Sequence, residues 1–323
     1  MVADQLVRTY RFENAEEAAA AVPGAQVRYM PLRRPTADWR MVEMSLGESR
    51  MLAGRMGAET SIFGTLDRNL LYFLVPISGS GWTTFGKEIG DRGLTVLSQT
   101  TECVSWLGHS VHSMSLQVPV EKFARAYTRF AAGAAPVWST IRTFTLGAST
   151  AARLRSAIAT TLRIGREWPE ALSQPHMGKM LEDLILERLM HAVGASSRAE
   201  RPEYHALASR CNNYLKANAN RPVTLAELRE ALEIGERALR RFFVSVYGTS
   251  PARFLRVQRL HGVNRGLAEA GPTSTVTTLA TSFGFFDLGR FAGHYRQLFG
   301  EHPSATLQRS RTSRSRTGEV ITK

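Results

Sequence analysis

The strongest constraint on this chain is a pattern that it carries twice. Leu239, Phe243, Tyr247, Gly248 and Pro251 recur 52 residues later as Phe291, Tyr295, Phe299, Gly300 and Pro303. In each copy, apolar residues at helical spacing end in a glycine, with a proline three residues on. Glycine relieves the left-handed strain at a helix C-terminus, and proline suits the first turn of the next helix. A shorter helical pattern precedes each copy. The first covers 224–232, with Leu225, Leu228 and Leu232 inward. The second covers roughly 275–283, with Val276, Leu279 and Ala280 inward. Thr224 and Glu227 have the spacing of a capping box. Connections at 233–235 and 284–286 are tight, and Gly235 and Asp287 stand at the N-cap of the following helix. Helix, short turn, helix is the layout whose second helix enters the major groove of DNA. Between the copies, 252–270 reads as one long helix with Phe254, Leu255, Leu260, Val263 and Leu267 apolar, a rigid spacer.

The 323 residues have room for two domains, and the segment before the repeat reads differently. Trp39–Leu46, Leu70–Ile77, Leu94–Leu97 and Ser113–Val118 mix β-branched, aromatic and polar residues, with Gly, Asp and Asn breakers between them. Many short strands predict a small barrel or sandwich. Helical periodicity follows in Phe123, Tyr127 and Phe130, then Leu154, Ile158 and Leu162, then Met177 to Met190. The expected fold class is α+β: a β-barrel with flanking helices over 1–197, and an all-α domain of two helix-turn-helix units over 203–309. A disordered basic tail is expected over 310–323, which has almost no apolar residues.

Charge favours an anionic partner for the second domain. Residues 201–323 carry 19 Lys and Arg against 9 Asp and Glu, a net +10 of the chain's +13. No apolar run approaches the ~20 residues needed to span a bilayer. Asp4, Arg8, Arg11 and Glu13 break any secretory signal. The expectation is therefore a cytoplasmic protein without a membrane partner. Cys103 and Cys211 have neither a CxxC spacing nor a histidine cluster. His109 and His112 would point to opposite faces of a strand, so no metal and no cofactor are expected. Phosphate loops, nucleophile elbows and HExxH are absent, and the chain is not read as an enzyme. Two alternatives stay open: a ligand-binding barrel whose C-terminal domain contacts something other than DNA, and a barrel enzyme, whose sign would be a bound metal or a reactive thiol at Cys103 or Cys211. Trp82, Trp106 and Tyr72 are candidates to line a ligand pocket, or simply core.

The residues of the repeat resemble the AraC/XylS family of bacterial transcription regulators. Ser250-Pro251, Phe254-Leu255-Arg256 and Arg259-Leu260 look like that family's linker helix. Leu279-Ala280, Gly284-Phe285, Asp287, Phe291, Tyr295, Phe299-Gly300 and Pro303 resemble its C-terminal signature. The resemblance covers roughly 205–308. Arg229, Glu233 and Gly235 depart from it, replacing a small residue, a glycine and a hydroxyl cap. The resemblance implies a cupin-like N-terminal barrel that senses a small-molecule effector or forms a homodimer. It also implies promoter DNA and RNA polymerase as partners, and activation of transcription.

The candidate DNA contacts lie on the second helix of each unit. Arg237, Arg240 and Arg241 share a face at i, i+3 and i+4, where they repel one another unless an anion is near. Arginine holds phosphate or pairs bidentately with guanine. The alternatives are a solvated face partly neutralised by Glu236, or an acidic partner for Arg241. The resemblance places base contacts at these three arginines. In the second unit the outward residues are Leu288, Gly289, Arg290, Ala292, Gly293 and His294, with Arg290, His294 and Arg296 suited to phosphate. Gly293 stands where relatives often carry a basic side chain.

Overall fold

The computed structural model describes residues 6–97, 102–108, 111–131, 141–194, 203–271 and 273–318; of 131, 175 and 313–318 only the backbone is described. The chain divides into two compact units, Met1–Tyr29 with Pro35–His205, and Met30–Arg34 with Ala206–Lys323.

The first unit is built on two sheets. Its strands are β1 (Val7–Phe12), β2 (Ala25–Pro31), β3 (Trp39–Leu46), β4 (Ser49–Arg55), β5 (Thr60–Leu66), β6 (Leu70–Ser78), β7 (Trp82–Thr84), β8 (Lys87–Glu88), β9 (Gly93–Leu97), β10 (Cys103–Leu107), β11 (His112–Pro119) and β12 (Arg142–Thr145). A short helix α1 (Ala15–Ala20) follows β1, and α2 (Val120–Ala131), α3 (Ala148–Glu167) and α4 (Pro175–Gly194) lie later in the unit. One sheet runs β1-β3-β4-β11-β6-β9-β12, the other β2-β5-β10-β7-β8. Among the described residues the two sheets do not close into the single expected barrel: β1 and β12 end one ladder, β2 and β8 the other. The helices supply a reason. They cover one face of the larger sheet, so that face is buried without curling into a cylinder.

Alternation along the strands sorts side chains between two interiors. In β6, Leu71, Phe73 and Val75 join Phe123, Leu154, Ile158, Leu181 and Ile185 in the helix-covered core. Tyr72 and Leu74, between them, face a cavity instead. In β11, Met114, Leu116 and Val118 join the core while Ser113, Ser115 and Gln117 line the cavity. A buried cluster pins the β3–β4 turn to the helices. Lys122 Nζ on α2 donates to Glu182 Oε2 on α4 at 3.0 Å and to Glu48 Oε1 at 3.1 Å, and Ser49 Oγ donates to Glu182 Oε1 at 2.6 Å. Gly47 has φ +59, and a Cβ there would run into the Glu182 carboxylate.

The second unit is helical: α5 (His205–Ala217), α6 (Leu225–Leu232), α7 (Glu236–Tyr247), α8 (Pro251–Ala268), α9 (Val276–Ser282), α10 (Leu288–Phe299) and α11 (Pro303–Gly318). Both halves of the repeat form as read. Helix α11 is the departure, because 310–318 continue it where a disordered tail was expected. Two bonds tie its start beyond 310: Thr312 Oγ1 donates to Gln308 O, and an Arg311 guanidinium nitrogen donates to Ser274 O, 37 residues away, at 2.9 Å. The linker at 195–202 and His109 lie outside the described residues.

Candidate nucleic-acid interface and apolar cavity

Each recognition helix is held by the short helix before it and the aromatic residues behind it. Glu227 closes the capping box at the start of α6: its Oε2 accepts from Thr224 N at 2.7 Å, and Thr224 Oγ1 accepts from Glu227 N at 3.2 Å. The backbone amide of Thr224, then Arg221 at 2.7 Å, hold the Glu227 carboxyl below its ordinary pKa. Glu233 ends α6 in the left-handed region, φ +55. Behind α7, Phe242, Phe243, Tyr247 and Phe254 are fully buried, with ring centroids 4.5–5.8 Å apart. These rings fix the roll of α7, and therefore which side faces out.

That outer side carries Arg237, Arg240 and Arg241, all exposed. Among the described residues none of the three forms an ion pair within 4.0 Å, so no acidic partner for Arg241 is found. Glu236 is exposed at the first turn of α7, where a carboxylate suits the helix dipole.

The second unit is braced more elaborately. Tyr295 on α10 is buried; its hydroxyl accepts from Asn264 Nδ2 at 2.7 Å and shares a hydrogen bond with Thr306 Oγ1 at 2.8 Å. Thr306 donates to Glu301 at 2.6 Å, and Arg309 pairs with the same carboxylate at 2.6 Å. Helices α8, α10 and α11 are thus tied through one polar chain. Arg259 on α8 lies 5.0 Å over the Phe285 ring and donates to Gly284 O at 3.4 Å, supporting the turn into α10. Its Nε has no partner, and burial, then Arg256, lower its pKa. The motif reading included Arg259 without finding this brace, because the partner lies 25 residues away in the turn.

On α10 the candidate residues divide. Leu288, Gly289 and Gly293 are exposed. Arg290 is exposed but sits 3.4 Å from Asp287. His294 is half-buried; burial first, then Arg256 and Arg290, lower its pKa, with Asp287 acting the other way. Phe286, which the sequence reading passed over as part of the connection, is 82% exposed.

The first unit holds a cavity of about 130 Å³ between its two sheets. Tyr72 and Trp82 line it, whereas Trp106 does not. Most of its other walls are apolar, among them Tyr29, Trp39, Ile62, Leu74 and Leu107. The polar groups on its wall are largely spoken for. Tyr72 donates to Gly24 O at 2.8 Å, Gln117 to Pro23 O at 3.1 Å, and Ser105 shares a hydrogen bond with Thr84 at 3.0 Å. Ser113 and Ser115 line it as well, and the indole nitrogens of Trp39 and Trp82 are buried within the wall without a partner. Burial pushes the Cys103 thiol, on the same wall, up to about 11 and the Cys211 thiol up to about 12. Both thiols are protonated at neutral pH, which removes the support for a reactive-thiol enzyme. Among the described residues no group of three His, Cys, Asp or Glu could hold a metal ion, and no helix is long and apolar enough to cross a membrane.

A family model described as a helix-turn-helix domain matches residues 228–309. The chain is 30% identical over 164 residues to the probable thc operon regulatory protein of Rhodococcus erythropolis, covering 45% of this chain and 49% of that one. It is 33% identical over 135 residues to the XylDLEGF operon transcriptional activator 2 of Pseudomonas putida, covering 41% and 83%. A crystal structure of a probable AraC family transcriptional regulator from Rhodopseudomonas palustris is 37% identical, covering 32% of this chain and 97% of that one, with a TM-score of 0.30. The chain spans about half the length of the first curated relatives it matches. With a doubled helix-turn-helix on the page and a relative matched over four fifths of its length, the chain belongs to the AraC/XylS family of transcription regulators.

Proposed function

We propose that this chain binds promoter DNA in a sequence-specific way through α7 and α10, and activates transcription in response to a small molecule. The observation that carries the reading is the face of α7. Three arginines stand on it within five residues, without an acidic partner among the described residues, on a helix whose roll is fixed by buried aromatics. An anion from outside relieves that repulsion, and in a segment, 201–323, of net +10 the anion is the DNA backbone or a guanine edge. Phosphate contacts set affinity and the base-edge arginines set sequence. Partner calls to RNA polymerase and to a second copy of the chain, and a cytoplasmic site of action, come with the family and are part of the same proposal. The test is to mix the purified chain with sheared DNA from its source organism at physiological salt, recover what it holds, and sequence it. Enrichment of a few sites sharing an asymmetric motif of about two turns supports the reading. Uniform recovery means binding by charge alone and overturns it.

The cavity supports the sensing half. Its two facing sheets are compatible with a cupin-like sensor. An engineered apolar cavity of ~150 Å³ holds benzene, so a space of this size fits a one-ring molecule.

A further inference from the structure

The two recognition helices do not present the same chemistry. Aligned at their N-caps, Gly235 and Asp287, they place Gly289, Ala292 and Gly293 of α10 where α7 has Arg237, Arg240 and Arg241. Among the described residues no packing requires the two glycines. A Cβ at Gly293 would meet no atom within 4 Å, and one at Gly289 only Asp287 Oδ1 at 3.6 Å. Glycine in a helix costs about 1 kcal/mol relative to alanine, so the helix carries this loss without an internal packing gain.

The turn before α10 differs in the same direction. The left-handed residue that opens each turn is Glu233 in the first unit and Gly284 in the second. One residue, Ile234, separates it from the N-cap in the first unit; two, Phe285 and Phe286, do so in the second. Phe285 is buried, 5.0 Å from Phe291. The additional residue, Phe286, is 82% exposed just before the helix, and Leu288, its first residue, is 38% exposed. Arg290, two residues further along α10, is drawn toward Asp287 at 3.4 Å.

We propose that the α10 unit reads thymine methyl groups through Phe286 and Leu288, while the α7 unit reads guanine. The proposal rests on the DNA-binding reading above. An apolar patch gains nothing from a phosphate. Along the edges of the base pairs in the major groove the apolar group is the C5 methyl of thymine. Absence of side chains at Gly289 and Gly293 lets the helix backbone approach the groove floor, which brings the two apolar side chains to the methyl groups. The patch lies in a segment, 201–323, of net +10, and that charge argues for DNA over a protein as its occupant. The site is then polar in its two turns, one turn rich in G·C and one in A·T.

The test uses the full chain. Sites are first selected from random duplexes. Each thymine in a selected site is then replaced by uracil, which removes the methyl and leaves base pairing intact. Each replacement in the turn facing α10 is expected to weaken binding about fourfold, the equivalent of ~0.8 kcal/mol for a buried methyl-sized group, while replacements facing α7 leave it unchanged. Phe286→Ser, at an exposed position, removes that sensitivity. Gly293→Arg shifts the preferred base in that turn toward guanine. If uracil changes nothing in either turn, or Phe286→Ser leaves the A·T preference intact, the methyl reading is overturned while the DNA reading stands. If the chain selects no sequence at all, both fall.

Discussion

Glu233 shows how a single residue departs from what its position favours. It holds φ +55 at the end of α6, a conformation that costs a side chain of this kind about 1–2 kcal/mol. Its compensation is an ion pair with Arg210 at 3.3 Å, between side chains 49% and 82% exposed. Such pairs contribute 0–1 kcal/mol at most, so strain wins. Glu233→Gly is expected to raise stability by about 1 kcal/mol, read from the denaturant midpoint, without altering DNA affinity. Arg241 carries the opposite kind of prediction. Among the described residues it pairs with no acid, so Arg241→Ala leaves the melting transition in place. That substitution is expected to cost about 1–3 kcal/mol of binding and to relax selection at one base pair; an unchanged affinity and footprint would remove Arg241 from the interface.

At the scale of elements, close approach and buried polar ties decide the geometry. Helix α8 crosses α9 at Gly262, where a Cβ would collide with the Phe283 ring. Gly262→Val therefore forces α9 outward and is expected to destabilise the second unit by about 1–3 kcal/mol, measured by denaturation with tryptophan-independent far-UV dichroism. The α10–α11 junction adds a pH dependence. Arg309 first, then Thr306, hold the Glu301 carboxyl below its ordinary value. A depressed carboxylate contributes stability that is fully present above the unfolded value, ~4.3, and is lost as pH falls through the lowered folded one. Below pH ~4 the second unit is expected to weaken, and Glu301→Gln to flatten that slope. These elements were legible to different degrees. Helices α6, α7, α9 and α10 declare themselves because the same spacing of Leu, aromatic, Gly and Pro occurs twice. Strand β6 is legible as an apolar run because both of its faces are buried. Strands β5 and β7 escape a reading by pattern, since Thr60, Ser61 and Thr84 are polar yet buried, and β4 carries Arg50 and Gly54 within its length. Their burial is set by pairing with β10 and β11, which no local window contains. The final turns of α11 escape for the opposite reason: their composition is polar throughout, and the contacts that tie them begin with Ser274 on a distant loop.

At the scale of the whole molecule, a cavity-bearing sheet unit and a doubled helix-turn-helix unit are read from different signals. The candidate contacts of α7 follow from sequence, because a helix face can be counted out in steps of three and four. The cavity does not, because it exists only where alternate residues of β6, β10 and β11 meet those of the other strands around it. For the second unit, α8 is 18 residues long, or ~27 Å at 1.5 Å per residue, a spacer suited to holding two recognition helices against one face of DNA a helical turn, ~34 Å, apart.

That spacing is the central claim, and a phasing experiment tests it most directly: affinity for a selected site is compared with affinity for the same site carrying 5 or 10 added base pairs between its two turns. The account predicts that 5 pairs, which turn one half to the far side of the duplex, cost most of the specific affinity, and that 10 pairs fail as well because α8 is rigid. Binding that is indifferent to both insertions would mean that only one unit engages DNA, and would contradict the account.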